Sequence, residues 1–148
     1  MKESITFDHP VARTTFGDVA GRFRNGVELF AGIPYASPPV GDLRFAAPIP
    51  PESWEGVRET KRFSPASPQL PGEGLTDRFP VRWDEDCLYL NVVTPASDDK
   101  KRPVYVWIHG GAYRRGQGGV PWYDGTSFAS RGDVVVVTIN YRLAAFGF

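Results

Sequence analysis

The chain has 148 residues, with 17 basic and 17 acidic side chains and a formal net charge of zero. That length can bury a core without a disulfide or metal staple, and the balanced charge argues against a nucleic-acid or membrane-surface protein, which needs a basic face. Apolar residues at 41% and aromatics at 14% exclude a disordered chain, and one cysteine excludes an internal disulfide.

His9 and His109 are far apart and suggest no metal cluster. The segment Met1 to Pro10 has no apolar run suited to a signal peptide, and no stretch is long enough to span a bilayer. These features predict a reduced, cytoplasmic globular protein. Arginine outnumbers lysine 13 to 4, compatible with a GC-rich bacterial genome.

Residues 1–11 read as a tail, and Arg13 to Phe16 as a first strand. Val19 to Phe23 and Val27 to Phe30 then flank Asn25-Gly26, a dipeptide that accepts the positive φ of a tight hairpin turn. From Ile33 to Pro51 six prolines deny the chain backbone donors, which predicts an ordered loop. Residues 64–83 form a second long loop of the same kind. Leu88 to Val93 is a strand, Asp98 to Lys101 a charged turn, and Val104 to Ile108 another strand. A short helix is expected near Ser127 to Ser130. The apolar run Val134 to Ile139 suits a strand covered on both faces. Strand, glycine loop, helix and strand together predict a three-layer α/β protein with a partly parallel sheet. The apolar ending Ala144 to Phe148 reads as the interior of a larger domain, completed downstream or by a second chain.

The chemically loaded segment is His109-Gly110-Gly111-Ala112-Tyr113, directly after a predicted strand. Consecutive glycines there let backbone N–H groups turn toward one point, and two such donors stabilise the oxyanion of acyl transfer. Taken alone, the same residues serve equally well as a connecting turn. Gly125-Thr126-Ser127-Phe128-Ala129 imitates a nucleophile motif, but an aromatic loop precedes it, so Ser127 is expected to start the helix and cap it. Cys87 has no evident base beside it and is expected to be a buried, inert thiol. Arg114 and Arg115 read as a solvated pair.

The combination resembles the type-B carboxylesterases, the cholinesterase-like branch of the α/β hydrolases. The matching segments are Phe30-Ala31-Gly32-Ile33-Pro34-Tyr35-Ala36, Pro38-Pro39-Val40-Gly41 with Arg44-Phe45, and Pro68-Gln69. Glu85-Asp86-Cys87-Leu88-Tyr89-Leu90-Asn91-Val92 follows, then Pro103 to Ala112, Tyr123-Asp124-Gly125 and Asn140-Tyr141-Arg142-Leu143, in family order. The resemblance implies the N-terminal part of an α/β-hydrolase fold. An antiparallel β ribbon would lead into a mostly parallel central sheet, with residues 1–148 a fragment of one catalytic domain.

The resemblance also implies hydrolysis of small uncharged carboxylic esters through an acyl-serine, with no metal or organic cofactor. Gly111 and Ala112 would supply oxyanion N–H groups, Gly110 the turn, and His109 a brace for the loop. Arg44 and Glu85 would pair, while Tyr113, Trp122 and Tyr123 would line the substrate pocket or belong to the core. The serine, acid and histidine would lie downstream of Leu143, in the C-terminal part of the domain, so the chain alone is expected to be inactive. Two features depart from the family: Ser67 stands where a cysteine often bridges to the position of Cys87, and Ala144 stands where glycine is usual. Two alternatives are an inactive remnant and a binding module that has lost the catalytic serine.

Overall fold

The structure, a computed structural model, describes residues 8–71, 79 and 82–148. The strands are, in chain order, β1 (Val11–Arg13), β2 (Asp18–Ala20), β3 (Arg22–Arg24), β4 (Val27–Pro34), β5 (Val57–Glu59), β6 (Tyr89–Thr94) and β7 (Val104–Ile108). Helix α1 (Thr126–Gly132) and β8 (Val135–Ile139) complete the set. A three-stranded sheet has the order β1-β2-β5, and a five-stranded sheet the order β3-β4-β6-β8-β7.

The hairpin forms as expected. Asn25 (φ 47°) and Gly26 (φ 80°) both take the positive φ that the turn requires, and Arg24 faces Val27 across it. The strand expected over Val19 to Phe23 instead breaks at Gly21, whose N–H donates to Pro10 O at 2.9 Å. β2 therefore joins one sheet and β3 the other. The first strand also falls earlier than expected. Val11, Ala12 and Arg13 pair with β2, while the Thr14 hydroxyl donates to Gly17 O at 2.7 Å and closes a turn over 14–17. Pro10 is buried and Val11 is in a ladder, so the tail expected over 1–11 does not extend through them.

β5 had no sequence signal. All three of its residues are exposed, and its parallel pairing with β2 supplies the order that its composition does not. Thr60, just beyond it, joins the two sheets. Its N–H and hydroxyl both donate to Ala20 O, and its own carbonyl accepts the Ala31 N–H at 2.7 Å.

In the larger sheet β3, β4, β6 and β8 pair antiparallel in succession, and β7 pairs with β8 in parallel from Val104↔Val135 to Ile108↔Ile139. That parallel pair requires a crossover, which α1 provides. Its Ala129 is fully buried in a cluster with Val27, Leu29, Ala31, Val93 and Val136. Burying Leu29 alone is worth about 1.5–3 kcal/mol against leaving it in water. β8 was expected to be covered on both faces, but its burial alternates, with Val136 and Thr138 buried and Val135, Val137 and Ile139 half-buried. At the sheet edge, β7 leaves Val104 60% and Ile108 63% exposed.

The helix starts differently from the expected Ser127 cap. Asp124 Oδ1 accepts the Thr126 N–H at 3.1 Å and the Thr126 hydroxyl at 2.6 Å, whereas Ser127 is exposed inside the first turn. The Asp124 carboxylate thus satisfies the N–H two residues on, as aspartate side chains commonly do at a turn. Of the loop expected over 64–83, residues 72–78 and 80–81 lie outside the described residues. The described part contains neither helix nor ladder strand, apart from an isolated bridge between Ala66 and Trp83.

Candidate active site

β7 delivers the chain to His109 at the end of the parallel pair, where a strand's carboxyl end meets a loop. Just beyond, Gly111 (φ 131°), Ala112 (φ 54°) and Tyr113 (φ 58°) are three successive residues at positive φ. Holding a non-glycine residue there costs about 1–2 kcal/mol. Two together mark a backbone held by its surroundings, a feature that clusters at functional sites. The Gly111 and Ala112 N–H groups have no hydrogen-bond acceptor among the described residues. Gly110, expected to make the turn, does not. Its φ lies outside the left-handed region and a Cβ there would meet nothing within 4 Å. The turn falls one residue later because a Cβ on Gly111 would collide with the Arg115 carbonyl.

His109 anchors the root of this loop. It is 3% exposed, and its ring stacks on Tyr141 with centroids 4.4 Å apart and planes 15° from parallel. Nδ1 lies 3.0 Å from Gly110 O, which places the ring proton on Nδ1 by assignment from the network, and the Tyr141 hydroxyl donates to His109 O at 2.6 Å. Nε2 is buried without a partner among the described residues. Burial pushes the imidazole pKa down, with the Gly110 contact acting in the opposite sense, so the ring is held neutral. Among the described residues no serine, cysteine or carboxylate is hydrogen-bonded to this ring, so it does not form a nucleophile-activating pair there.

Two residues outside the expected site set hold the far side of the loop. Gln69 grips both backbone groups of Gly116: Oε1 accepts the Gly116 N–H at 2.8 Å and Nε2 donates to Gly116 O at 3.0 Å. Gly116 (φ 117°) in turn sits so close to the His109 ring that a Cβ would overlap Nδ1. Asn140, at the end of β8, accepts the Gly118 N–H at 2.7 Å and donates to Pro65 O at 2.9 Å while 3% exposed. Both residues stood inside family-like segments, but nothing local in the sequence connects either to a loop 47 or 22 positions away. The Tyr113 carbonyl is tied as well, accepting the Ala144 N–H at 2.7 Å. Ala144 itself has φ 51°, a conformation that glycine adopts more cheaply than alanine.

The expected pocket residues separate. Tyr113, 64% exposed, lines a cavity of about 520 Å³ together with Ala112, and meets Phe148 edge-on at 5.8 Å. Trp122 is not there. It sits in the turn Pro121–Tyr123 and lines a different cavity of about 210 Å³ with Tyr105, Trp107 and Phe128, along with Tyr123. Arg44 and Glu85 come together in a bidentate pair at 2.6 Å for both contacts, joining the proline loop to the segment before β6. Cys87 is fully buried, and burial pushes its thiol up to about 11 despite the opposing Ser67 contact, so little of it is thiolate near neutrality. Ser67 accepts the Leu143 N–H at 3.0 Å instead of entering a bridge.

This strand, loop, helix and strand arrangement is that of an α/β hydrolase near its N-terminus, and the sequence comparisons agree. The carboxylesterase family matches residues 8–148, and the chain belongs to that family. It is 49% identical to para-nitrobenzyl esterase of Bacillus subtilis over 142 residues, covering 95% of this chain and 29% of that protein. It is 46% identical to phenmedipham hydrolase of Pseudarthrobacter oxydans, covering 94% of this chain and 29% of that one. A carboxylesterase structure from Geobacillus stearothermophilus at pH 6.8 superposes with a TM-score of 0.84 at 51% identity, covering 93% of this chain and 27% of that one. A solved PNB esterase gives a TM-score of 0.88 at 48% identity, covering 95% and 29%. The chain thus spans less than a third of the length of these relatives. Among the described residues, no helix is long and apolar enough to cross a membrane.

Proposed function

We propose that these 148 residues act as the N-terminal part of a serine carboxylesterase catalytic domain and supply two oxyanion donors, the N–H groups of Gly111 and Ala112. The observation that carries this reading is the run of positive φ from Gly111 to Tyr113, with both N–H groups unused among the described residues. In the proposed reaction a serine from the rest of the domain attacks the ester carbonyl carbon. The carbonyl oxygen becomes an oxyanion between those two N–H groups, and the alcohol leaves with the proton taken from the serine. Water then cleaves the acyl-serine to release the acid and restore the hydroxyl. A donor aimed at such an oxyanion lowers the barrier by about 2.7–4 kcal/mol. His109 and Gln69 keep the loop in place without touching the reacting atoms.

The exposed apolar side chains of β7 support a C-terminal part of the same domain as the principal partner, because an uncovered apolar edge strand is unfavourable in water. The unbridged Cys87 supports a reducing, cytoplasmic setting.

The test uses the protein as isolated from its source, with p-nitrophenyl butyrate as substrate and diethyl p-nitrophenyl phosphate as serine-directed inhibitor. Hydrolysis abolished by stoichiometric phosphorylation is expected, and residues 1–148 expressed alone should give none above background. No hydrolysis by the isolated protein would overturn the reading in favour of a binding module. Hydrolysis by the 148 residues alone that disappears in Ser127→Ala would overturn the assignment of the nucleophile.

A further inference from the structure

We infer that Phe45 is a positioning residue for the oxyanion loop: its ring holds the turn at Ala144–Phe146, and through that turn the Tyr113 carbonyl beside the proposed donor Ala112. This rests on the esterase reading above and extends it to a residue of the proline loop. Phe45 has φ 63°, a left-handed conformation that bulky side chains rarely adopt. Such backbone persists only where its surroundings over-determine it, and it clusters at functional sites. Both neighbours are fixed. Arg44 is held by Glu85 through two contacts at 2.6 Å, the Ala46 N–H donates to Leu43 O at 3.2 Å, and Arg142 Nη1 donates to Ala46 O at 2.9 Å. The ring that this strained backbone presents is 65% exposed, so burial in this chain does not account for it. It lies against Phe146 instead, with centroids 6.2 Å apart and planes 11° from parallel.

Phe146 is the far end of a turn whose start is already anchored. Leu143 is fully buried, and its N–H donates to Ser67 Oγ at 3.0 Å. The turn closes with the Phe146 N–H on Leu143 O at 3.2 Å and the Gly147 N–H on Ala144 O at 3.1 Å. Its first residue, Ala144, takes φ 51° and donates its N–H to Tyr113 O at 2.7 Å. Tyr113 directly follows Ala112 and shares its positive φ, so this hydrogen bond ties the left-handed stretch one residue beyond the donor. An aromatic contact near the surface ordinarily adds only a little to stability. Here the contact joins one left-handed residue, Phe45, to the turn that begins at another, Ala144, and Ala144 is hydrogen-bonded to the loop that carries the donors. Without the ring, the far end of the turn is free to swing about Leu143 and to draw the Ala144 N–H away from Tyr113 O.

The experiment uses the whole protein. Phe45→Ala and Phe45→Gly remove the ring, and Phe45→Tyr keeps it. Glycine relieves the left-handed strain that alanine retains, so Phe45→Gly should unfold at a higher temperature than Phe45→Ala. The kcat for p-nitrophenyl butyrate, counted per site titrated with diethyl p-nitrophenyl phosphate, is expected to fall about tenfold in both variants that lack the ring, with KM nearly unchanged. Phe45→Tyr should recover most of the parent value. Equal loss in two variants of unequal stability is a result that a merely structural ring does not give. Phe146→Ala should lose the same factor, and the double variant no more than either single one. A parental kcat in Phe45→Ala, a loss that Phe45→Gly restores, or additive losses in the double variant would overturn the inference. Failure of the esterase reading is distinguishable, because the parent would then turn over no ester. In that case amide hydrogen exchange decides: faster exchange of the Ala144 N–H in both Phe45→Ala and Phe45→Gly than in Phe45→Tyr supports the brace, and equal exchange overturns it.

Discussion

Replacing Gln69 with leucine keeps the side chain's approximate size and removes every hydrogen bond it makes. The parent amide holds the Gly116 N–H at 2.8 Å, Gly116 O at 3.0 Å and Ser67 O at 3.0 Å. Gly116 is buried, so its N–H and C=O lose their partners in the variant. Each orphaned buried group costs about 1–3 kcal/mol, and Gln69 is itself half-buried, so water recovers part of the loss. The expected destabilisation is about 2–4 kcal/mol, read as a lower urea midpoint at unchanged slope.

Because Gly116 packs against the His109 ring at the root of the 110–113 turn, release of the grip should also misplace the proposed oxyanion donors. A shift of that kind lowers kcat by about tenfold to a hundredfold while leaving KM for a neutral ester nearly unchanged. Gln69→Glu separates the two effects. Its carboxylate still accepts the Gly116 N–H but faces two carbonyls with no proton to give, which raises its pKa. Protonation restores the donor, so kcat relative to the parent should recover as pH falls toward about 5. Stability within about 0.5 kcal/mol of the parent and an unchanged kcat in Gln69→Leu would refute the reasoning.

Ala144→Gly should stabilise the protein by up to about 1 kcal/mol in urea unfolding, because relief of the positive φ at 51° exceeds the added flexibility of the unfolded chain. The folded state holds His109 neutral with a lowered pKa, so its contribution to stability is complete above the unfolded value of about 6.5 and is lost as pH falls below it. The unfolding free energy measured from pH 7.5 downward should therefore drop less steeply in His109→Gln than in the parent. Cys87 should resist iodoacetamide in the native protein and alkylate fully in urea, as read by peptide mass, since burial both shields the thiol and keeps it protonated. Native-state alkylation at the rate of a free thiol would contradict that burial.

Much of the architecture could be read from local signals. Asn25-Gly26 predicts its hairpin because both residues accept positive φ, and the β-branched run at 135–139 predicts β8. The glycine segment after Val104–Ile108 marks the loop, while the Arg44–Glu85 pair, 41 positions apart, follows only from the family resemblance. Other features depend on partners remote in sequence. β5 exists because β2 pairs with it, and Gly21 breaks a predicted strand because Pro10 O captures its N–H. The grips of Gln69 on Gly116 and Asn140 on Gly118 follow the same rule.

Tertiary structure also decided the exact turn and the contents of the cavity. The left-handed stretch falls at Gly111 to Tyr113 and leaves Gly110 outside it, because the Arg115 carbonyl crowds Gly111. Tyr113 and Arg114 reach the cavity beside Ala112, while Trp122, carried on the turn before α1, faces another. Residue type and spacing determine which backbone conformations are cheap. Which hydrogen bonds and walls are then completed depends on segments tens of residues apart being brought to one place, and only the folded chain does that.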